Sequence, residues 1–242
     1  MIRVENIYKR FGDLVVLNGV SFEVPKGTTT VILGRSGIGK SVLLKCIVRL
    51  IEPDDGKIFI EGKNISELSL KELNDLRKDI GFLFQSAALY DSMSVRENLA
   101  FPLVRHTDLS DSEIEERVKE TLRLVGLSEA IDKMPSELSG GMRKRIGLAR
   151  SLILHPKIML YDEPTTGLDP VTSKEIAKLI IDMQNKFKMT NIVVTHDMVV
   201  ALSTADRILL LDNGNFIFDG TPDELIKSEI DMAKKFLSTS LD

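Results

Sequence analysis

Apolar residues change their period several times along this chain, and each change marks an element. Residues 2–7 and 14–24 read as two strands around a turn at Gly12-Asp13, the second rich in β-branched side chains. Pro25-Lys26-Gly27 turns the chain into the apolar run Thr30-Val31-Ile32-Leu33. A glycine-rich stretch separates that run from residues 42–48, whose spacing suits a buried helix. A turn at 52–56, an alternating strand at 57–62, a short helix at 70–77 and an apolar strand at 80–85 follow. From Ser86 to about Leu154 the apolar positions recur at helical spacing, as in Ile114, Val118, Thr121, Leu122 and Val125. Ser110-Asp111-Ser112-Glu113 predicts a capped helix start and Gly126 a stop. Strand character returns at 157–161, 191–195, 207–211 and 216–219, with helices over 171–186 and 197–203 and a hairpin turn at 212–215. Thr221 and Pro222 open a further helix, and an amphipathic segment runs to Asp242. The pattern is that of an α/β chain carrying a helical insertion. Residues 1–85 and 156–242 form its core and 86–155 a helical subdomain.

Composition narrows the class. At 242 residues, 43% hydrophobic and 28% charged, the chain matches an ordinary globular protein able to bury a sizeable core. A net charge of −4 argues against a nucleic-acid partner. The single cysteine, Cys46, excludes an internal disulfide and a multi-cysteine zinc site, and is expected to be a small buried residue. No leading signal pattern appears, and no apolar run approaches the ~20 residues of a membrane-spanning helix. The chain is therefore expected in the cytosol, meeting a membrane only through a partner.

The chemistry concentrates at four places. Gly34-Arg35-Ser36-Gly37-Ile38-Gly39-Lys40-Ser41 fits G-x-x-x-x-G-K-[ST], between a strand and a helix as phosphate binding requires. Glycines let successive N–H groups point inward, the helix N-terminus adds positive charge, Lys40 reaches the β- and γ-phosphates, and Ser41 can ligate Mg²⁺. The strand at 157–161 delivers Asp162 and Glu163, a metal-holding and a water-aiming carboxylate once a phosphate loop stands upstream. His196 follows a buried strand, at the edge where open α/β sheets gather ligands. Leu138-Ser139-Gly140-Gly141-Met142 opens a helix and reads either as a plain N-cap or as a second anion site. Behind it, Arg143-Lys144-Arg145 is either a solvated face or a source of positive potential, the solvated face ranking first. Gln85 is by default an ordinary loop amide, and Phe11 by default a packing residue.

Taken together and in this order, these segments resemble the nucleotide-binding subunit of ATP-binding cassette (ABC) transporters over nearly the whole chain, Leu138-Ser139-Gly140-Gly141 being the discriminating element. The resemblance implies a P-loop NTPase core with a mixed sheet, an N-terminal antiparallel β subdomain and an inserted α-helical subdomain. It implies that Gly34, Arg35, Ser36, Gly37, Ile38, Gly39, Lys40, Ser41 and Val42 bind ATP, with Phe11 stacked on adenine. Ser139, Gly140 and Gly141 would bind the γ-phosphate held by a second copy of the chain, with Asp169 across the same interface. Ser41, Gln85 and Asp162 would serve Mg²⁺, and Glu163, His196, Lys40 and Gln85 catalysis. Met142 stands where the family usually has glutamine and cannot replace the amide donor. That segment, residues 84–103 and Thr165-Thr166-Gly167-Leu168-Asp169-Pro170 are similar to the ATPases of Mla and MCE-type lipid transporters. The implied assembly is a homodimer with integral-membrane permease subunits and an MCE-type substrate-binding protein, peripheral on the cytoplasmic face of the inner membrane. DNA-repair and translation ATPases share the head, but this chain has neither heptad arms nor a second cassette.

Overall fold

Strands buried at every position organise the molecule, whose computed structural model describes residues 2–240. The ten strands are β1 (Ile2–Phe11), β2 (Leu14–Val24), β3 (Thr29–Leu33), β4 (Asp55–Ile60), β5 (Lys63–Asn64), β6 (Ile80–Leu83), β7 (Ile158–Asp162), β8 (Thr190–Thr195), β9 (Arg207–Asp212) and β10 (Asn215–Gly220). Strands β3, β7 and β8 expose no residue, as strands of a parallel sheet covered on both faces must not. They sit inside a six-stranded sheet of order β10-β9-β3-β8-β7-β6. All neighbours are parallel except β10, which closes the edge as an antiparallel hairpin with β9. A separate antiparallel sheet has the order β2-β1-β4-β5.

The helices are α1 (Lys40–Ile47), α2 (Leu70–Lys78), α3 (Val95–His106), α4 (Asp111–Leu124), α5 (Gly140–Leu152), α6 (Pro170–Phe187), α7 (Met198–Thr204), α8 (Pro222–Ile226) and α9 (Asp231–Ser240). Alternation along β7 sends Leu160 to one face of the large sheet and Met159 and Tyr161 to the other. On the first face, Leu160 packs with Leu43, Leu44 and Ile47 of α1 and with Ile2, Val4 and Ile58 of the antiparallel sheet. On the second, Met159 and Tyr161 meet Leu148 and Leu152 of α5, Ile176 and Ile180 of α6, and Met198 of α7.

Helices α3, α4 and α5 enclose a third core, including Val95, Leu99, Val118, Leu122, Ile146 and Ile153. The apolar stripe expected at 114–125 is the buried face of α4, opened by a capping box between Ser110 and Glu113 and followed by Gly126 at φ 68. Asn98 of α3 is fully buried. Its Oδ1 accepts from Tyr90 N at 2.8 Å, and its Nδ2 donates to the carbonyls of Tyr90, Met93 and Ser94 at 3.1, 2.9 and 3.0 Å.

Several boundaries differ from expectation: β1 (Ile2–Phe11) runs on past residue 7, and β4 (Asp55–Ile60) starts and stops two residues before 57–62. Strand β6 stops at Leu83 rather than 85, and Ala87 and Ala88, at φ 62 and 48, carry the chain out of the sheet. The amphipathic C-terminal segment forms α9 to Ser240, and residues 241 and 242 lie outside the described residues.

Candidate functional site

Three neighbouring strands, β3, β8 and β7, deliver the site from their C-terminal ends. The loop after β3 is pinned at its start by Gly34 N donating to Thr195 O at 3.2 Å. A Cβ on Gly34 would fall 2.8 Å from Leu211 O, and one on Gly39, at φ 111, 2.4 Å from Val16 Cγ1. Both positions therefore need glycine, for close approach and for left-handed backbone. Arg35, Ser36 and Gly37 are exposed at the crest. Ile38 and Val42 pack against the core, so a contact with an anion would run through their backbone N–H groups. Lys40 is buried and curls back: its Nζ donates to Gly34 O and Arg35 O at 2.8 Å each and pairs with Glu163 Oε1 at 3.0 Å.

The acidic end of β7 meets this loop. Ser41 Oγ donates to Asp162 Oδ1 at 2.5 Å. Burial pushes the Asp162 carboxyl above the usual range, against the opposing effect of the Ser41 hydrogen bond. Hydroxyl and carboxylate oxygens side by side suit a hard cation. Among the described residues no cluster of three His, Cys, Asp or Glu side chains is placed to hold a metal. An ion here would thus draw most of its ligands from phosphate and water, as magnesium characteristically does.

Glu163 is the centre of the constellation. Its Oε2 accepts from His196 Nδ1 at 2.8 Å, Thr166 Oγ1 at 3.1 Å and His196 N at 3.3 Å, leaving Oε1 on the Lys40 side. With a carboxylate as partner, Nδ1 carries the proton. The neutral ring then presents Nε2 as an acceptor, and only the imidazolium could donate to a phosphate. The Glu163 backbone stands at φ 49, a left-handed conformation that costs a non-glycine residue roughly 1–2 kcal/mol. Val194 O anchors its N–H at 2.9 Å, and its carbonyl accepts from Thr166 N at 3.3 Å.

The remaining predicted residues are not gathered here. Gln85 is exposed on the loop after β6, where its backbone carbonyl accepts from Lys144 Nζ. Phe11 is 49% exposed at the β1–β2 turn, on the strand pair that brings Val16 against Gly39, with Lys9 Nζ 5.4 Å from its ring centre. Among the described residues, Ser139, Gly140 and Gly141 make no hydrogen bond to the phosphate loop; exposed Ser139 caps α5 by accepting from Met142 N at 3.2 Å. Asp169 is likewise exposed, accepting at the start of α6 from Val171 N and Thr172 N at 3.0 Å each.

One expectation is corrected. Arg143 is exposed, but Lys144 is buried, at 6% exposure, and Arg145 pairs with Glu175. Lys144 Nζ donates to Gln85 O at 2.5 Å and Glu163 O at 3.0 Å. Burial lowers its ammonium below the usual lysine range, with Asp162 and Glu163 opposing. The signal was in the spacing: Lys144 lies four and eight residues before Leu148 and Leu152, on the stripe that faces the sheet. Thr166 was also missed as a partner of Glu163, and nothing in its spacing distinguished it.

Comparison with known proteins identifies the family. The family model described as ABC transporter matches residues 17–166. A probable ribonucleotide transport ATP-binding protein, mkl, of Mycobacterium leprae is 42% identical over 98% of this chain and 68% of its own length; three further mycobacterial relatives of that name are covered over 66% of theirs. The intermembrane phospholipid transport system ATP-binding protein MlaF of Haemophilus influenzae is 40% identical over 100% of this chain and 92% of its own. Relatives named for phosphonate import in Wolinella succinogenes and methionine import in Campylobacter jejuni stand at 41% and 40%. A solved dimer of the ATP-binding cassette MJ0796 bound to ADP and Pi superposes with a TM-score of 0.84 at 32% identity, covering 92% of this chain and 99% of that one. With a family match across well over half the chain and a phosphate loop, acidic strand end and histidine converging on one crest, this chain belongs to the ABC transporter family as an ATP-binding, ATP-hydrolysing subunit.

Proposed function

We propose that this chain hydrolyses ATP to drive a separate membrane permease that moves phospholipid or a similar hydrophobic cargo. The observation that carries the cargo is the likeness to MlaF, which runs the whole length of this chain and nearly all of the relative. The Leu138–Met142 segment that first suggested lipid transport adds to it. An importer of another solute is the alternative, favoured by the relatives named for phosphonate and methionine.

In the proposed cycle the loop amides of residues 34–42 and Lys40 take the phosphates, and Phe11 offers its exposed ring to the adenine. Ser41 and Asp162 hold Mg²⁺, with Gln85 reaching toward it; the ion supplies neutralisation of phosphate charge. Glu163 aims water through Oε1, while His196 and Thr166 fix Oε2. Ser139, Gly140 and Gly141 grip the γ-phosphate of a second copy, a reading supported by the exposure of Ser139 and by the dimeric cassette to which this fold is similar. Residues 1–85 and 156–242 act as the nucleotide-binding core and 86–155 as a helical subdomain, supported by the third apolar core within it. The permease docks beside the loop before α3, where Tyr90 and Phe101 are exposed with ring centres 5.3 Å apart and Val104 is 67% exposed. An MCE-type substrate-binding protein would complete the assembly. Among the described residues no helix is long and apolar enough to cross a membrane, in keeping with a peripheral position on the cytoplasmic face of the inner membrane.

The test is reconstitution of the chain with its co-purifying membrane subunits in phospholipid vesicles. ATP-dependent phospholipid transfer is expected, abolished in Glu163→Gln. Transfer of methionine or phosphonate with no effect on lipid would replace the cargo, leaving the ATPase reading intact.

A further inference from the structure

We propose that Lys144 is a positioning residue for hydrolysis, its buried ammonium joining helix α5, the Gln85 loop and the Glu163 backbone so that the carboxylate is aimed only while α5 is seated. The inference rests on the reading of Glu163 as the group that aims the attacking water.

A lysine is rarely buried unless its charge is satisfied. Here its two close partners are backbone carbonyls from two different segments, Gln85 O at 2.5 Å and Glu163 O at 3.0 Å. A methionine or leucine continuing the Leu148 and Leu152 stripe would fill the same place without desolvating a charge, so packing alone gives no reason for a cation. What the ammonium does is hold a strained peptide. Glu163, at φ 49, is anchored through its N–H by Val194 O, while among the described residues its carbonyl otherwise accepts only the 3.3 Å bond from Thr166 N. Lys144 adds the charged donor, and charge-assisted hydrogen bonds are about twice as strong as neutral ones.

The placement also transmits motion. Lys144 lies four residues beyond Gly140, on the same face of α5 and about 5–6 Å along the axis. A shift of the Ser139-Gly140-Gly141 end therefore carries Lys144 with it as part of one rigid turn. The displacement arrives at the Glu163 carbonyl, whose side chain swings with it. Gripping of the second copy's γ-phosphate at the start of α5 is thereby linked to the aiming of water by this chain's own Glu163.

The full-length chain is compared with Lys144→Met, which keeps the stem and loses the donor, and with Lys144→Arg and Lys144→Gln, which keep donors. Steady-state ATPase rates and ATP-analogue binding are measured together, with Glu163→Gln as reference. Lys144→Met is expected to bind within about twofold of the parent while kcat falls on the order of 10–100-fold, the range for a catalytic group misplaced by about 1 Å. Lys144→Arg is expected to recover most of the rate and Lys144→Gln part of it. Parent-like kcat in Lys144→Met, with Glu163→Gln inactive, overturns the role of Lys144 alone. An equal loss of kcat, affinity and melting temperature in all three lysine variants also overturns it, as that of a residue needed only for folding. Should Lys144→Met not fold, the Arg and Gln variants decide by the same split. Parent-like activity in Glu163→Gln overturns the underlying reading of Glu163.

Discussion

Neutralising Glu163 is expected to separate ATP binding from turnover, and the geometry sets the size of each effect. Lys40 Nζ directs its three N–H bonds to Gly34 O, Arg35 O and Glu163 Oε1. A triphosphate entering the loop must displace at least one of these acceptors. At 3.0 Å and an effective dielectric of about 20, the ammonium–carboxylate attraction is about 5 kcal/mol before desolvation. Burial of both charges cancels most of it, leaving about 1–2 kcal/mol. Glu163→Gln removes this competitor and one negative charge facing the phosphates, so ATP affinity is expected to rise about five- to thirtyfold. The same change deletes the acceptor proposed for the water's proton, and turnover is expected to fall on the order of 10²–10⁴-fold. Titration with a fluorescent ATP analogue reads the first effect, and single-turnover phosphate release the second. Equal or weaker binding by the variant would refute the competition inferred from the ion pair.

Lys40→Ala is expected to weaken ATP binding about ten- to a hundredfold by deleting the charged donor proposed for the phosphates, checked in the same titration. Asn98→Ala leaves Tyr90 N without the buried acceptor it uses and is expected to lower stability by about 2–3 kcal/mol, read by urea denaturation. Burial pushes the Cys46 thiol from 9.0 up to about 11, only partly opposed by Lys9. The unfolded thiol therefore ionises first as pH rises, so this contribution to stability is intact below pH 9 and lost between 9 and 11. Cys46→Ala should remove roughly 1–2 kcal/mol of that alkaline loss, measured as the difference between denaturation curves at pH 8 and 10.5; identical pH slopes in both proteins would contradict it.

Much of this molecule was legible in one dimension because its signals are local. The central strands announce themselves as unbroken apolar runs, and the phosphate loop requires its glycines in a fixed spacing that no packing rearrangement can supply. Asp162 and Glu163 were readable for the same reason, as carboxylates at the end of such a run. Lys144 was not, because its two partners lie 59 and 19 residues away and are carbonyls, which every residue possesses. Charge beside charge in Arg143-Lys144-Arg145 looked solvated, and only the i, i+4, i+8 alignment with Leu148 and Leu152 could have separated the middle residue from its neighbours. Partners in three dimensions with no distinctive side chain remain invisible to pattern.

The amide of Asn98 has a mechanical consequence. By clasping Tyr90, Met93 and Ser94 at once, it converts what would be slack chain ahead of α3 into a stiff bracket. A load applied at the exposed Tyr90 ring is not absorbed by bending there; it is delivered to the helix, as a lever delivers force to its axle.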